Sequence, residues 1–215
     1  MVVLDVGLCG QGAALNGRLI AFEGGEAAGK STQARLLAER LGAARLTFEP
    51  GATELGARIR SLVLDPSGFS LSFRAEALLM AADRAQHVAE VIRPTLEAGT
   101  HVVTDRFIGS SLAYQGFGRN LGVEEVLALS LFATGGLRCD LALLLSLPDG
   151  VARSRRGSPA DRIEAEAADF HHRVLEGYRM LAEQDPERWV VIDGNRPPGE
   201  IAKSVVAIVR ERLGV

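Results

Sequence analysis

Cysteine is scarce in this sequence, and the two residues present, Cys9 and Cys139, lie far apart in the chain. They show neither the close spacing of a metal site nor the several pairs of a disulfide framework. Such sparse use of cysteine is typical of a protein from a reducing, cytosolic compartment. The sequence therefore predicts a fold that depends neither on disulfides nor on cysteine-bound metal.

An excess of positive charge is also lacking. The 215 residues include 24 lysines and arginines against 27 aspartates and glutamates, which gives a formal net charge of −3. General nucleic-acid binders are usually basic, so we expect no nucleic-acid partner. Any site for an anion must then be a local concentration of positive charge.

Long apolar runs are absent as well. Residues 1–17 are apolar but short and rich in glycine, and they lack a basic start and contain Asp5, so they fit neither a membrane span nor a signal peptide. We interpret them as an N-terminal extension and expect no membrane partner. Residues 18–215 contain no repeat or long linker, so we expect one domain there.

What the sequence does contain is an alternation of short apolar runs with helical stretches, which predicts an α/β fold of three layers with a parallel sheet between helices. The strands are expected at 18–23, 44–48, 100–104, 141–147 and 188–192. The helices are expected at 30–41, 54–64, 73–98, 107–116, 122–133, 164–184 and 198–213. Such sheets bind ligands beyond the carboxyl ends of their strands, so residues that follow strands are the candidates for function.

A glycine-rich loop follows the first strand and precedes a helical run. It matches the phosphate-loop pattern G-x-x-x-x-G-K-[ST] in the required context. Backbone N–H groups of such a loop surround phosphate oxygens, Lys30 reaches the β- and γ-phosphates, and the Ser31 hydroxyl ligates magnesium. An ordinary glycine-rich turn would require neither side chain. The predicted site for ATP and Mg²⁺ comprises Gly24, Gly25, Glu26, Ala27, Ala28, Gly29, Lys30, Ser31 and Thr32.

A second candidate anion site follows the third strand, where the sequence reads Asp105-Arg106. Asp105 is suited to hold Mg²⁺ through water, and Arg106 is suited to bind a phosphate through its forked guanidinium. The competing interpretation is a surface ion pair. No Asn-Lys-x-Asp motif for reading guanine occurs in the sequence, which disfavours a GTPase.

Four arginines crowd into residues 153–162, where Gly157 and Pro159 oppose a continuous helix. Phosphoryl transfer needs positive charge over the transferring group, and a closing segment supplies it while excluding water. We therefore predict a lid at about 150–164, with a solvated basic loop as the alternative. The arginines are Arg153, Arg155, Arg156 and Arg162.

From about Gly17 to the C-terminus the sequence resembles the thymidylate kinases, which phosphorylate dTMP. The resemblance rests on FEGGEAAGKSTQ, EPGATELGARIR, LLMAADRAQH, TDRFIGSSLAYQGFGR and ADRIE, in this order. It implies a five-stranded parallel sheet, ATP as phosphoryl donor with Mg²⁺, dTMP as acceptor, a homodimer and a cytoplasmic location.

The resemblance also implies roles for individual residues. Glu26 is expected near the sugar 3′-hydroxyl and magnesium, Arg106 on the acceptor phosphate, and Arg84 at the thymine edge. Tyr114 is expected to crowd the 2′ position and so to favour deoxyribose. Further positions are Ser111 at the base, Gln115 beside Tyr114, and Asn195 in the loop 194–197 near adenine. For Arg162, a structural role and closure on the nucleotide both remain open.

The sequence departs from the family pattern at several positions. Ala27 replaces an arginine that some members carry in the phosphate loop, so the resemblance assigns the catalytic charge to Arg153, Arg155 and Arg156. Phe48 stands where an arginine for the acceptor phosphate is usual, which leaves that phosphate to Arg106 with help from Arg60. Met80 replaces a base-stacking phenylalanine, and Ser146 replaces an acid.

Three functions are consistent with these observations. The first is a dTMP kinase, and the second is a kinase of the same fold that acts on another nucleoside monophosphate, as Phe48 and Met80 allow. The third is a nucleotide-binding module without catalysis. A mere binder would not require the arginines of the predicted lid, which favours an enzyme.

Overall fold

A five-stranded, all-parallel sheet forms the centre of the protein in a computed structural model, which describes residues 15–67, 70–148, 151 and 161–215. The strand order is β2-β3-β1-β4-β5. The predicted fold class and all five predicted strands are confirmed. The strands are β1 Leu19–Glu23, β2 Arg45–Phe48, β3 Val102–Asp105, β4 Leu141–Ser146 and β5 Trp189–Asp193.

Helices cover both faces of the sheet. Two begin at side-chain caps that the sequence supplies, because Thr53 accepts a hydrogen bond from the Gly56 N–H and Ser72 accepts one from the Ala75 N–H. The helices are α1 Lys30–Leu41, α2 Glu54–Leu64, α3 Phe73–His87, α4 Arg93–Glu97, α5 Ile108–Ser111, α6 Val123–Thr134, α7 Ala168–Gln184 and α8 Pro198–Leu213.

Three predicted helices differ in detail. The stretch 73–98 is interrupted by a π-helical turn at Val88–Ile92, where the Arg93 N–H donates to the Val88 carbonyl just ahead of Pro94, which has no N–H to donate. The stretch 107–116 continues from α5 as a second π-helical turn, Leu112–Gly118. The helix expected from residue 164 begins at Ala168.

The late start of α7 has a local cause. The Asp161 carboxylate accepts hydrogen bonds from the N–H groups of Ile163 and Glu164, each at 2.9 Å. An aspartate whose carboxylate accepts hydrogen bonds from N–H groups two and three residues later stabilises a turn, and this turn competes with helix formation.

The two faces of the sheet have separate apolar cores. One core packs α1 and α8 against the sheet, and the other packs α4, α5, α6 and the two π-helical turns against it. All five residues of β1 are buried, as expected of the central strand of a parallel sheet. Among the described helices, none combines the length and apolar character that a membrane crossing requires.

The register of the sheet determines where the site forms. Phe22 at the end of β1 and Phe48 at the end of β2 both pair with Asp105 at the end of β3. The carboxyl ends of three strands therefore meet at one edge, and the loops that follow them share one cleft. At the opposite end of β1, Gly17 donates its N–H to the Leu96 carbonyl at 3.0 Å, so residue 17 packs against the domain.

Candidate active site

The phosphate loop has the backbone conformation that its glycines permit. Gly24 has φ 134°, and a Cβ there would lie 2.5 Å from the Leu145 carbonyl oxygen, so no other residue fits. Gly29, with φ 91°, turns the chain into α1. Ala27 also has a positive φ, 57°, which is a strained conformation for a residue with a side chain. The loop therefore carries backbone strain at the predicted phosphate site.

Lys30 points back into the loop. Its ammonium donates to the Gly25 carbonyl at 2.6 Å, and the residue is buried. Burial, followed by the nearby charge of Arg106, lowers the pKa of Lys30 to about 8. A buried ammonium with one carbonyl partner binds a phosphate oxygen strongly. The negative charge of the phosphate compensates for the water contacts that the ammonium loses on burial.

Ser31 and Asp105 meet across the loop. The Ser31 hydroxyl donates to one carboxylate oxygen of Asp105 at 2.5 Å, and the other oxygen, Oδ1, is buried with no hydrogen-bond partner. No group of three or more His, Cys, Asp or Glu suited to a metal occurs in the described ranges. Magnesium beside phosphates usually takes only one or two carboxylates, however, so an orphaned carboxylate oxygen next to a hydroxyl fits this ion.

Arg106 lies between the phosphate loop and a neighbouring cleft. Its backbone has φ 73°, and its N–H donates to the Phe22 carbonyl at 2.9 Å. The guanidinium bonds groups on both sides of it. Nη1 donates to the oxygens of Gly24, Ser110 and Tyr178 at 3.1 to 3.3 Å, and Nη2 donates to Glu26 at 3.2 Å and Tyr114 at 3.3 Å.

Glu26 is ionised in this arrangement. Burial by itself raises the pKa of Glu26, but the Arg106 charge, the hydrogen bond from the Tyr114 hydroxyl and the Lys30 charge outweigh it and lower the pKa. The carboxylate therefore ties the loop to the cleft through Arg106 and Tyr114, whose ring also lies 5.0 Å from the guanidinium carbon.

The cleft beside Arg106 has a volume of about 160 Å³. It contains every residue that the sequence predicted to contact the base or sugar: Glu26, Met80, Arg84, Ser111, Tyr114 and Gln115. Arg84 is 3% exposed and donates to the Glu49 carboxylate at 2.8 Å, the Ser111 hydroxyl at 3.0 Å and the Phe107 carbonyl at 3.0 Å. A guanidinium fixed in this way can present its remaining donor in a constant direction.

Two further carboxylates lie deep in this cleft. Glu49 accepts from Arg84 and from the His87 imidazole at 2.9 Å, while Asp83 accepts the Gly51 N–H at 2.9 Å. Burial, together with the charge of Glu49, raises the pKa of Asp83 to about 6. The floor of the cleft is therefore a dense network of polar groups that are largely paired.

Phe48 and Arg60 lie side by side in an adjoining cleft with Lys30, Ser31 and Asp105. Phe48 is 46% exposed, which is unusual for a phenylalanine near a charged site. Arg60 donates to the Pro50 carbonyl at 2.9 Å. Arg60 therefore shares a cleft with Phe48, the position at which the family resemblance leads us to expect an arginine.

Other predicted residues lie apart from this group. Asn195 is exposed in the turn after β5, where the adjacent Gly194 approaches the Ala28 carbonyl in the phosphate loop. Arg162 donates to the buried Glu76 carboxylate at 2.6 Å and to the Val63 carbonyl at 2.8 Å, which is a structural arrangement. The predicted catalytic residues Arg153, Arg155 and Arg156 lie outside the described residues.

Sequence reasoning missed five polar residues at the site: Glu23, Glu49, Asp83, Ser110 and Tyr178. Glu23 ends an otherwise apolar strand, and Asp83 and Ser110 directly precede the predicted Arg84 and Ser111, so their positions carried a signal. Tyr178 carried none, because it lies 72 residues from its partner Arg106 in the chain. Burial raises the pKa of Glu23 to about 7, against the opposing effects of Ser110 and Arg106.

The chain is similar to known proteins over most of its length. The family model for thymidylate kinase matches residues 22–205. A thymidylate kinase of Desulfovibrio desulfuricans is 46% identical over 210 residues, covering 90% of this chain and 97% of the relative. One of Leifsonia xyli is 52% identical over 197 residues, covering 88% and 92%.

A solved structure is similar as well. The crystal structure of thymidylate kinase from Ehrlichia chaffeensis aligns with a TM-score of 0.76 at 27% identity, over 90% of this chain and 98% of that one. The likeness therefore extends over nearly the whole of both chains.

Proposed function

The chain belongs to the thymidylate kinase family, and on that premise we propose how its cleft transfers the γ-phosphoryl group of ATP to dTMP. The products are dTDP and ADP. The family match does not favour the two alternatives, a kinase for another monophosphate or a module without catalysis. One observation carries the assignment of roles: Arg106 joins the phosphate loop to the cleft by donating to the Gly24 carbonyl in the loop and to the Tyr114 hydroxyl in the cleft.

On the donor side, the loop from Gly24 to Thr32 surrounds the ATP phosphates with backbone N–H groups. Lys30 gives up its bond to the Gly25 carbonyl and binds phosphate oxygens, where its charge opposes the charge that builds up during transfer. No covalent intermediate is needed, since catalysis here consists of alignment and charge neutralisation.

On the acceptor side, Arg106 binds the dTMP phosphate, with Arg60 beside it. Arg84 and Ser111 face the base, Met80 packs against its ring, and Tyr114 with Glu26 borders the sugar. Sulfur–aromatic contacts contribute about 0.3–1.5 kcal/mol, so Met80 can replace an aromatic ring at modest cost. With ATP in the loop and dTMP in the cleft, the γ-phosphate of ATP and the phosphate of dTMP are aligned for in-line transfer.

Mg²⁺ is the ion that this site suits. Ser31 and Asp105 would hold it, since Asp105 Oδ1 is buried without a partner next to the Ser31 hydroxyl. When bound, the ion neutralises charge on the β- and γ-phosphate oxygens. The protein's own contribution is the fixed carboxylate, which the Ser31 hydroxyl orients.

The remaining positive charge is assigned to the predicted lid. The phosphate loop has Ala27 where an arginine would otherwise lie, so the transferring group needs a cation from elsewhere. We assign this charge to Arg153, Arg155 and Arg156 on the basis of their sequence position alone.

We further propose a homodimer in the cytoplasm, where ATP and dTMP are found. α3 packs between α2 and α6, and this side of the protein exposes large apolar side chains, among them Leu78 and Phe132, the latter 83% exposed. A second copy would cover them. Phe132→Asp should convert a dimer to a monomer in analytical ultracentrifugation, whereas Lys203→Asp on the exposed side of α8 should not. A monomeric unsubstituted protein would contradict the dimer.

The decisive experiment for the function is an ADP-release assay with ATP and a panel of nucleoside monophosphates. We expect the highest kcat/KM with dTMP, a lower value with dUMP, and dTDP as the product by chromatography. Lys30→Ala is the matched control for contaminating kinases. A preference for another monophosphate would contradict the assignment of the acceptor.

A further inference from the structure

The guanidinium of Arg106 needs support that its own backbone does not provide. The residue has φ 73°, a conformation that side-chain-bearing residues rarely adopt. Fixing a long arginine side chain in one rotamer also costs conformational entropy. An arginine that must meet a phosphate in one orientation therefore requires partners that hold it before the substrate arrives.

Two hydroxyl groups hold one side of this guanidinium. Nη1 of Arg106 donates to the Ser110 hydroxyl at 3.1 Å and to the Tyr178 hydroxyl at 3.3 Å. The two hydroxyls are 2.9 Å from each other. Tyr178 is 1% exposed and comes from α7, so it lies behind Arg106 and not in the cleft.

A buried carboxylate sets the direction of these hydroxyls. Glu23, itself 1% exposed, accepts the Ser110 hydroxyl at 2.6 Å and the Tyr178 hydroxyl at 3.3 Å through Oε2. Its Oε1 accepts the Phe107 N–H at 3.0 Å. Above its pKa of about 7, the Glu23 carboxylate only accepts hydrogen bonds, so it attracts the hydroxyl hydrogens and leaves oxygen lone pairs facing Arg106.

We propose that Glu23, Ser110 and Tyr178 form a buried support that orients Arg106 toward the acceptor phosphate, with Glu23 and Tyr178 as positioning residues. This inference rests on the proposed function. Neither Glu23 nor Tyr178 is among the residues that line the two clefts, so both act through Arg106 and not on the nucleotide. The support therefore affects binding of the acceptor's phosphate, whereas the base and the sugar contact other residues of the cleft.

Phosphate-specific binding is the test. Calorimetry measures binding of dTMP and of thymidine, which lacks the phosphate. The pair of measurements distinguishes a loss of Arg106 orientation from a general disruption of the cleft. We expect Tyr178→Phe and Ser110→Ala each to weaken dTMP binding about 10-fold and to leave thymidine binding within about twofold, as for loss of one bond to a charged group. Glu23→Gln should do more, about 100-fold, because its amide donates where the carboxylate accepts.

Kinetics and a double-variant cycle complete the experiment. The KM for dTMP should rise in each variant with little change in the KM for ATP. In an Arg106→Ala background, Tyr178→Phe should add nothing, since the group it orients is gone. Val205→Ala, a core truncation in α8 on the other face of the sheet, controls for stability and should leave both affinities unchanged.

Two results would overturn the inference. One is unchanged dTMP binding in Tyr178→Phe, which keeps the buried ring and so tests the idea even where Glu23→Gln folds poorly. The other is an equal loss of dTMP and thymidine binding.

If the unsubstituted protein prefers another monophosphate, the proposed acceptor is wrong. That monophosphate and its nucleoside then replace dTMP and thymidine in the same measurement.

Discussion

The phosphate loop and the acceptor cleft lie at the same edge of the sheet but are built in different ways. The loop consists of consecutive residues, Gly24 to Thr32, and its main binding groups are backbone N–H groups. The cleft is lined by side chains from residue 26 to residue 164, on several helices and strand ends. Its geometry depends on buried ion pairs, such as Arg84 with Glu49 at 2.8 Å.

This difference has a consequence for tolerance to substitution. A loop that binds through its backbone depends on a few conformations and one mobile cation, Lys30. A cleft that binds through linked side chains depends on every member, because removing one partner of a buried ion pair leaves the other unpaired, at about 3–5 kcal/mol. We therefore expect substitutions on the donor side to act on kcat and those on the acceptor side to act mainly on dTMP binding.

The largest expected effect belongs to the predicted lid, which would serve both regions at once. A transition-state arginine contributes roughly 10³–10⁵ in rate, so at least one of Arg153→Ala, Arg155→Ala and Arg156→Ala should lose kcat on this scale. The KM for ATP should change far less. Stopped-flow single turnovers would measure the chemical step directly. Normal kcat in all three variants would place the catalytic cation elsewhere.

The next largest effects concern one cation on each side of the site, Lys30 in the phosphate loop and Arg106 at the acceptor cleft. Lys30→Ala and Arg106→Ala should each reduce kcat/KM about 10²–10³-fold, the effect of losing a donor that stabilises the transition state. Lys30→Ala should act on ATP parameters and kcat, and Arg106→Ala on the KM for dTMP. Thermal unfolding should show both variants folded. Either variant with near-normal kcat and KM would remove that residue from the site.

Phe48→Arg tests the acceptor side of the site. Phe48 is half-exposed beside Arg60, so an arginine there can reach the acceptor phosphate. We expect the KM for dTMP to fall by up to roughly 100-fold, with little change in the KM for ATP. Phe48→Lys is the matched control, since it adds charge without the forked geometry. An unchanged or higher KM for dTMP in the folded variant would argue against this placement of the phosphate.

The smallest effect expected is a pH dependence on the donor side alone. Burial lowers the pKa of Lys30 to about 8, so the free protein loses this cation as pH rises through that value. We expect kcat/KM for ATP to be constant below this pKa and to fall about tenfold per pH unit above it. Lys30→Arg keeps its charge and should lack this fall, at a lower overall rate. A level profile in the unsubstituted protein would contradict the lowered pKa.

Much of the fold was predictable because the sheet is buried on both faces. Strands of such sheets appear as short apolar runs, and all five predicted strands overlap the observed ones. Helix boundaries were less predictable where tertiary effects compete. The stretch predicted as one helix at 73–98 contains a π-helical turn at Val88–Ile92, just ahead of Pro94, and the Asp161 turn delays α7 until Ala168.

The phosphate loop, the Asp105-Arg106 pair and six of the residues that line the cleft could be predicted from the sequence alone, because each belongs to a contiguous motif with a recognised chemical role. How Arg106 is held depends on the tertiary structure. Its supports, Glu23 and Tyr178, lie on β1 and α7, and no local pattern connects them. Their pairing follows from burial, because a carboxylate and two hydroxyls removed from water must satisfy one another, and only the folded chain determines which groups are within reach.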